Sequence, residues 1–306
     1  MNKTLKKIII VLASLFGAAL LVVIILGISF LVANKITGSI VSSGEKRQYL
    51  LYVPASYDPD QPAPLVISIH GYAEWPAHQA QISRWNDLAD EQGFIVVYPS
   101  GTDFPRRWRT MGLSHTKGDP DLDVQFISDL IDKLEAEYNI DPARIYANGL
   151  SNGGGMSYLL ACKMADRIAA IGGVSGAYTY PIDQCSPSRP VPLIAFHGDA
   201  DPVVPYLGGP SRSFDIPFPS IPDWMQGWAD LNQCKTAAPI ARQGEISGSA
   251  WSECNQNADV IFYTIAGGGH SWPGGDPIPA WIVGKTSQQI DATRVMWQFF
   301  EQHPLK

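Results

Sequence analysis

From Arg47 onward, short apolar runs alternate with stretches in which apolar residues return every three or four positions. The runs are RQYLLYV (47–53), LVISI (65–69), FIVVY (94–98), RIYA (144–147), the segment 169–174, VPLIAF (191–196) and VIFYTI (260–265). Several are apolar at nearly every position, the pattern of strands covered on both faces in a parallel sheet. Between them, Val124, Ile127, Ile131, Leu134 and Tyr138 form one apolar stripe at helical spacing. Residues 156–168 read as a second helix, and Thr286 with Gln289 has the spacing of a capping box ahead of a last helix, IDATRVMWQFFEQH. Strands alternating with helices predict one α/β domain on a mostly parallel, doubly wound sheet.

The chain opens on a different pattern. Lys3, Lys6 and Lys7 precede an uncharged apolar run over residues 8–33, twenty-six positions, long enough to span a bilayer as a helix. A cleaved signal peptide has a shorter apolar core and a small-x-small end, whereas this run closes on Leu31-Val32-Ala33. The sequence therefore predicts an N-terminal signal anchor, a transmembrane helix over 1–35, with a cleaved signal peptide as the alternative. Lysines ahead of a span stay cytoplasmic, so either reading exports the remainder. Residues 36–46 are short and polar and read as a tether, leaving 47–306 as the body. Within it, 206–227 is rich in proline and glycine and breaks the rhythm; a lid over a site and a plain surface excursion are both open.

Composition narrows the classes of function. A chain of 306 residues that is 45% hydrophobic can fill one large α/β core. Its net charge is −7, and all the acidic residues lie from Glu45 onward, so the body is more acidic than the whole. That balance excludes a basic nucleic-acid groove. None of the four cysteines, Cys162, Cys185, Cys234 and Cys254, belongs to a C-x-x-C pair, so no metal site is expected. In an exported body they can form two disulfides. Of three connectivities, Cys162 to Cys185 with Cys234 to Cys254 closes the shortest loops; buried free thiols are the alternative.

Candidate chemistry centres on GLSNGGG, residues 149–155. A lone G-x-S-x-G match is weak, but here a strand precedes it and a helix follows, the setting in which a sharp turn presents a nucleophilic serine, Ser151. A serine hydroxyl needs a base to take its proton. His270, in GGGHSWPGG after VIFYTI, can reach over such a turn; His70 and His197 close strands, His303 ends a helix, and His78 and His115 lie upstream of the serine. A carboxylate must hold that imidazole, and HGDADPVVPY offers Asp199 and Asp201, one of them expected to serve only as a turn residue. The order serine, acid, histidine is that of the α/β-hydrolase fold. For the oxyanion, backbone amides are expected from Asn152, after the serine, and from Tyr72, after LVISI. Trp272, Trp75 and Trp108 are candidate rim residues for a substrate, each with core packing as the alternative.

GLSNGG, HGDADPVVPY and GGGHSWPGG together resemble the polyhydroxybutyrate depolymerase and feruloyl esterase family of secreted α/β-hydrolases, a likeness that covers roughly residues 44–304. The resemblance implies that Ser151 is the nucleophile, Asp201 rather than Asp199 the acid, and His270 the base, and it favours the local disulfide pairs. It implies a serine carboxylic-ester hydrolase acting outside the membrane on small aryl, acyl or hydroxyalkanoate-type esters, with no cofactor and a monomeric catalytic domain over 47–306. Two departures stand against a depolymerase of solid polymer: no linker and substrate-binding module follows, and an anchor opposes diffusion to an insoluble substrate. The rival readings are a serine peptidase resembling prolyl oligopeptidase, for which the body is too short to hold the propeller, and a membrane-tethered binding protein that has lost the chemistry.

Overall fold

The computed structural model describes residues 16–17, 35–110, 119–210 and 216–306. The chain divides into two units, Met1–Lys35 and Ile36–Lys306. Of the first, only Phe16 and Gly17, both helical, and Lys35 are described, so the expected anchor otherwise lies outside the described residues. Among the described residues no helix is long and apolar enough to cross a membrane.

The second unit begins with β1 (Gly38–Ser42), β2 (Glu45–Tyr52) and β3 (Ala63–Ile69), followed by helices α1 (Pro76–Ser83) and α2 (Trp85–Gln92). Next come β4 (Ile95–Pro99), α3 (Asp121–Glu137), β5 (Ile140–Leu150), α4 (Asn152–Lys163), β6 (Ala170–Val174) and β7 (Leu193–Gly198). The chain continues through α5 (Ile221–Leu231), β8 (Thr236–Gln243), β9 (Ile246–Ser252), β10 (Val260–Ile265), the short α6 (Ala280–Val283) and α7 (Ala292–Glu301). All ten strands form one sheet in the order β1-β2-β4-β3-β5-β6-β7-β10-β9-β8. The stretch from β4 to β10 is parallel throughout, while β1, β2, β9 and β8 pair antiparallel at the two edges. The apolar runs read as strands thus lie in the sheet, most of them at its centre.

Both faces of the central strands are covered, which is why their sequences lack alternation. Leu65, Ile67 and Ile69 of β3 point into one core with Phe126, Leu130, Met156, Leu159 and Trp228, from α3, α4 and α5. Val66 between them joins the other core, with Trp85, Leu88, Met296, Trp297 and Phe300, from α2 and α7. Each such apolar side chain contributes about 1.5–3 kcal/mol on burial.

Several expectations are corrected. Residues 38–42, assigned to the tether, pair with β2 from Gly38↔Tyr49 to Ser42↔Glu45, and Ile40 packs against the core; a polar edge strand alternates too weakly to be told from a linker. The last helix is capped by Asp291, whose carboxylate accepts Arg294 N at 3.0 Å, and not by Thr286. Gln289 instead accepts Glu245 N in the β8–β9 turn at 2.8 Å. Within 206–227, residues 211–215 lie outside the described residues, but from Ile221 the chain is helical and seated in the core by Trp224 and Trp228. Pro222 falls in the first turn of α5, where its missing N–H costs no helical bond. The disulfides join Cys162 to Cys185 and Cys234 to Cys254, as the local pairing predicts.

Candidate active site

Between β5 and α4 a single residue, Ser151, turns the chain, with φ 55° and ψ −120°. A side-chain-bearing residue held there costs about 1–3 kcal/mol. The surroundings impose it: Ser151 N donates to Val174 O at 2.9 Å, and Ser151 O accepts from Gly155 N at 3.0 Å and Ala177 N at 2.9 Å. Glycine is required where α4 meets the end of β3, because a Cβ on Gly153 would stand 2.1 Å from Ile69 O. Ser151 therefore sits at the start of a twelve-residue helix, whose unpaired first-turn amides and dipole favour an anion.

Further along the sheet, β7 and β10 place Asp201 and His270. A Cβ on Gly198 would stand 2.1 Å from Gly268 O, so the chain leaving β7 can approach the loop after β10 only without a side chain. Asp201 and His270 meet there: His270 Nδ1–H donates to Asp201 Oδ2 at 2.8 Å. Asp201 Oδ1 accepts the amides of Val203 at 2.8 Å and Val204 at 2.9 Å. Burial alone would raise the Asp201 carboxyl, but the charge and hydrogen bond of His270, His197 and the Val204 amide outweigh it and hold the group below the usual carboxylate range. His270 is thereby fixed with its proton on Nδ1 and the Nε2 lone pair available. Among the described residues Ser151 makes no hydrogen bond to His270; such bonds often tighten only when substrate arrives. Asp199 is exposed and makes no bond to His270 among the described residues; its Oδ1 accepts Gly267 N, across from it in the loop after β10, at 2.6 Å, where a turn residue was expected to bond its own segment.

The loop after β3 lies against the serine, since a Cβ on Gly71 would stand 3.4 Å from Ser151 Cβ. Its amides are committed one by one: Gly71 N donates to Glu74 Oε2 at 2.8 Å, Ala73 N to Arg106 O at 2.8 Å and Glu74 N to Gly71 O at 3.3 Å. Tyr72 N has no partner among the described residues. His70 braces the same loop. Its Nδ1–H donates to Gly71 O at 2.7 Å and its Nε2 accepts Gly101 N at 2.9 Å, a neutral tautomer. Burial pushes its pKa down to about 4.

Two of the three candidate rim tryptophans are core residues. Trp108 is fully buried, donates Nε1–H to His70 O at 2.9 Å and stacks on Phe126. It ties the loop after β3 to the β5–α4 turn, because its own N–H donates to Asn152 Oδ1 at 2.8 Å. The adjacent Arg109 and Arg47 close on buried Asp123, at 3.2 and 2.7 Å, which fixes this loop from behind. Trp272 is buried with its N–H on Thr293 Oγ1 at 2.9 Å. Only Trp75 is partly exposed, beside His78. Trp281, not singled out in the sequence, is 86% exposed on α6, a segment tied to His270 by the bond from His270 N to Val283 O. In the sequence His197 reads only as closing a strand. The structure sets His197 Nε2 3.5 Å from Asp201 Oδ2, donating to Val204 O at 3.0 Å; its place four residues before Asp201 was the one available signal.

Comparison with known proteins matches residues 47–186 to a family model described as Esterase PHB depolymerase. Feruloyl esterase C of Emericella nidulans is 30% identical over 262 residues, covering 83% of this chain and 83% of that protein. The bifunctional acetylxylan esterase/xylanase XynS20E of Neocallimastix patriciarum is 30% identical over 244 residues, 78% of this chain but only 33% of that protein's length. Among solved structures, the acetyl xylan esterase from Aspergillus awamori superposes with a TM-score of 0.59 at 15% identity, over 88% of this chain and 99% of that one. That likeness concerns the fold, which is the α/β-hydrolase fold.

Proposed function

Because the chain belongs to the esterase PHB depolymerase family and is accordingly an esterase, we propose that it cleaves carboxylic esters through an acyl-enzyme on Ser151. Ser151 Oγ attacks the ester carbonyl while His270 Nε2 takes its proton. The imidazolium so formed is stabilised by Asp201, and the oxyanion by the amides of Tyr72 and Asn152, donors of a kind worth about 10²–10³ each in kcat. His270 then gives the proton to the leaving alcohol, and the acyl group remains on Ser151. Water, deprotonated by His270, attacks that ester, releasing the acid and restoring the serine. The observation that carries this reading is the buried Asp201–His270 pair, ordered by two backbone amides, on the sheet edge that bears the strained Ser151.

The substrate reading follows the relatives, named for feruloyl and acetylxylan esters: a small acyl or aryl ester, hydroxyalkanoate oligomers included, with the exposed Trp281 and the partly exposed Trp75 as the aromatic faces open to it. The lysine-flanked apolar run over 8–33 and the two disulfides support placing the catalytic unit outside a membrane, held there by the run or released from it.

The test is a panel of p-nitrophenyl acetate, methyl ferulate, hydroxybutyrate oligomers and a prolyl anilide, assayed with the wild type and Ser151→Ala. Turnover of at least one ester, lost in the variant, is expected. Cleavage of the anilide alone, or ester turnover retained by Ser151→Ala, would refute the proposal.

A further inference from the structure

The group expected to meet the oxyanion is the Tyr72 N–H, and a peptide N–H points where its plane points. That plane contains Gly71 C=O, trans to the N–H across the same bond. Whatever holds the Gly71 peptide therefore aims the Tyr72 donor. Gly71 O is held by His70 Nδ1–H at 2.7 Å and by Glu74 N at 3.3 Å, the second contact closing a four-residue turn from Gly71 to Glu74. The third residue of that turn, Ala73, has φ 60°. Turns of this form favour glycine or asparagine at the third position, so with alanine there the turn has an incentive to relax into another. Something must hold it closed.

We propose that the Glu74 carboxylate is a positioning residue for the oxyanion donor. Its Oε2 accepts Gly71 N at 2.8 Å, so the side chain of the turn's last residue ties back to the first amide, while the main chain of the same residue ties to the first carbonyl. Both bonds fail together if the turn opens. The other carboxylate oxygen, Oε1, stands 3.4 Å from His78 Nδ1, one helical turn further on, at the start of α1, which keeps the carboxylate from swinging out to solvent. The carboxylate also lies where it limits Gly71 itself, since a Cβ there would come within 2.9 Å of Oε2. Among the described residues, the turn thus has each of its amides engaged except that of Tyr72. The inference rests on the proposed roles of Ser151 and Tyr72. It adds that Glu74, which touches neither substrate nor Ser151, sets how well the transition state is held and not how well the ester binds.

The experiment compares Glu74→Ala, Glu74→Gln and Glu74→Asp in the full-length protein, with kcat and KM on p-nitrophenyl acetate and the inhibition constant of phenylboronic acid. The boronate adds to a serine hydroxyl as a tetrahedral anion and so reads the oxyanion site without turnover. Glu74→Ala is expected to lower kcat by about 10–100-fold, less than outright loss of a donor, with KM within twofold and the boronate constant weakened by the same factor as kcat. Glutamine keeps the reach to Gly71 N without the charge, aspartate the charge without the reach, so Gln is expected to lose less than Asp. Should the alanine variant fail to fold, that ordering carries the test. A kcat within threefold of wild type in Glu74→Ala, a fall in kcat with the boronate constant unmoved, or Asp outperforming Gln would each overturn the inference. Because Ser151→Ala is tested separately, a null result at Glu74 alongside a dead Ser151→Ala rejects the positioning role alone.

Discussion

His70 is buried, neutral and bonded at both ring nitrogens, and its replacement by glutamine should change how stability depends on pH. Burial, opposed in part by the Gly71 carbonyl and Glu74, lowers its pKa from an ordinary 6.5 to about 4. Between those values the unfolded chain binds a proton that the native state refuses, so stability falls as pH drops through 6.5 toward 4 and has no further His70-linked loss below that. At about 1.4 kcal/mol per pH unit, the loss between pH 7 and pH 5 comes to roughly 2 kcal/mol. The depressed carboxylates Asp201 and Glu74 act in the same direction but at lower pH: their contribution is complete above the unfolded values and is lost as pH falls from there through the folded ones, below this window. His197 is also lowered by burial and adds to the wild-type slope, but it is common to both proteins and cancels. His70→Gln keeps one donor and one acceptor for Gly71 O and Gly101 N without titrating. Urea unfolding of both proteins at pH 7, 6 and 5, with the disulfides intact, should show the wild type losing about 2 kcal/mol more than the variant over that range. Equal losses, or a steeper loss in the variant, would refute the assignment of His70 as a neutral brace.

Asp201→Asn should cut turnover by up to about 10⁴-fold through the wrong tautomer of His270, while Asp199→Asn, which weakens only the bond to Gly267 N, should lose about 0.5–1.5 kcal/mol of stability with turnover nearly intact; the two are compared on one ester after circular dichroism shows both folded. Trp281→Ala should raise KM for methyl ferulate several-fold more than for p-nitrophenyl acetate with kcat little changed, and equal effects on both esters would remove Trp281 from the substrate's path. Reduction of Cys162–Cys185 and Cys234–Cys254 should each cost about 3 kcal/mol, read as a lower urea midpoint for the corresponding serine double variants.

What could be read from the chain follows from how strongly each element is constrained. β3, β4 and β7 are buried along their full length, so their sequences have little freedom to look like anything else. The edge hairpin β8–β9 went unread because β8 is almost wholly exposed and contains Pro239, which an edge strand tolerates. α5 was hidden by prolines that suit a helix start as well as a loop. In the site, Ser151 was legible because the elbow demands small neighbours at fixed spacing, and the Asp199/Asp201 pair and His270 because each follows a strand of the parallel stretch; strand position did not separate the two aspartates, and only the family resemblance favoured Asp201. Trp108 and Trp272 misled, since an indole beside glycines and arginines has the same sequence neighbourhood at a rim or in a core. The brace formed by His70, Glu74 and Asn152 depends on which way backbone amides face, which the pattern of side chains does not encode.

The proposed ester cleavage turns on acylation of Ser151, and mass spectrometry tests that most directly. The wild type, incubated with p-nitrophenyl acetate and quenched in acid, or treated with a p-nitrophenyl phosphonate, should carry one adduct per chain, located in the peptide containing Ser151, and Ser151→Ala should carry none while losing turnover. An adduct on any other residue, or labelling and turnover that survive in Ser151→Ala, would contradict it.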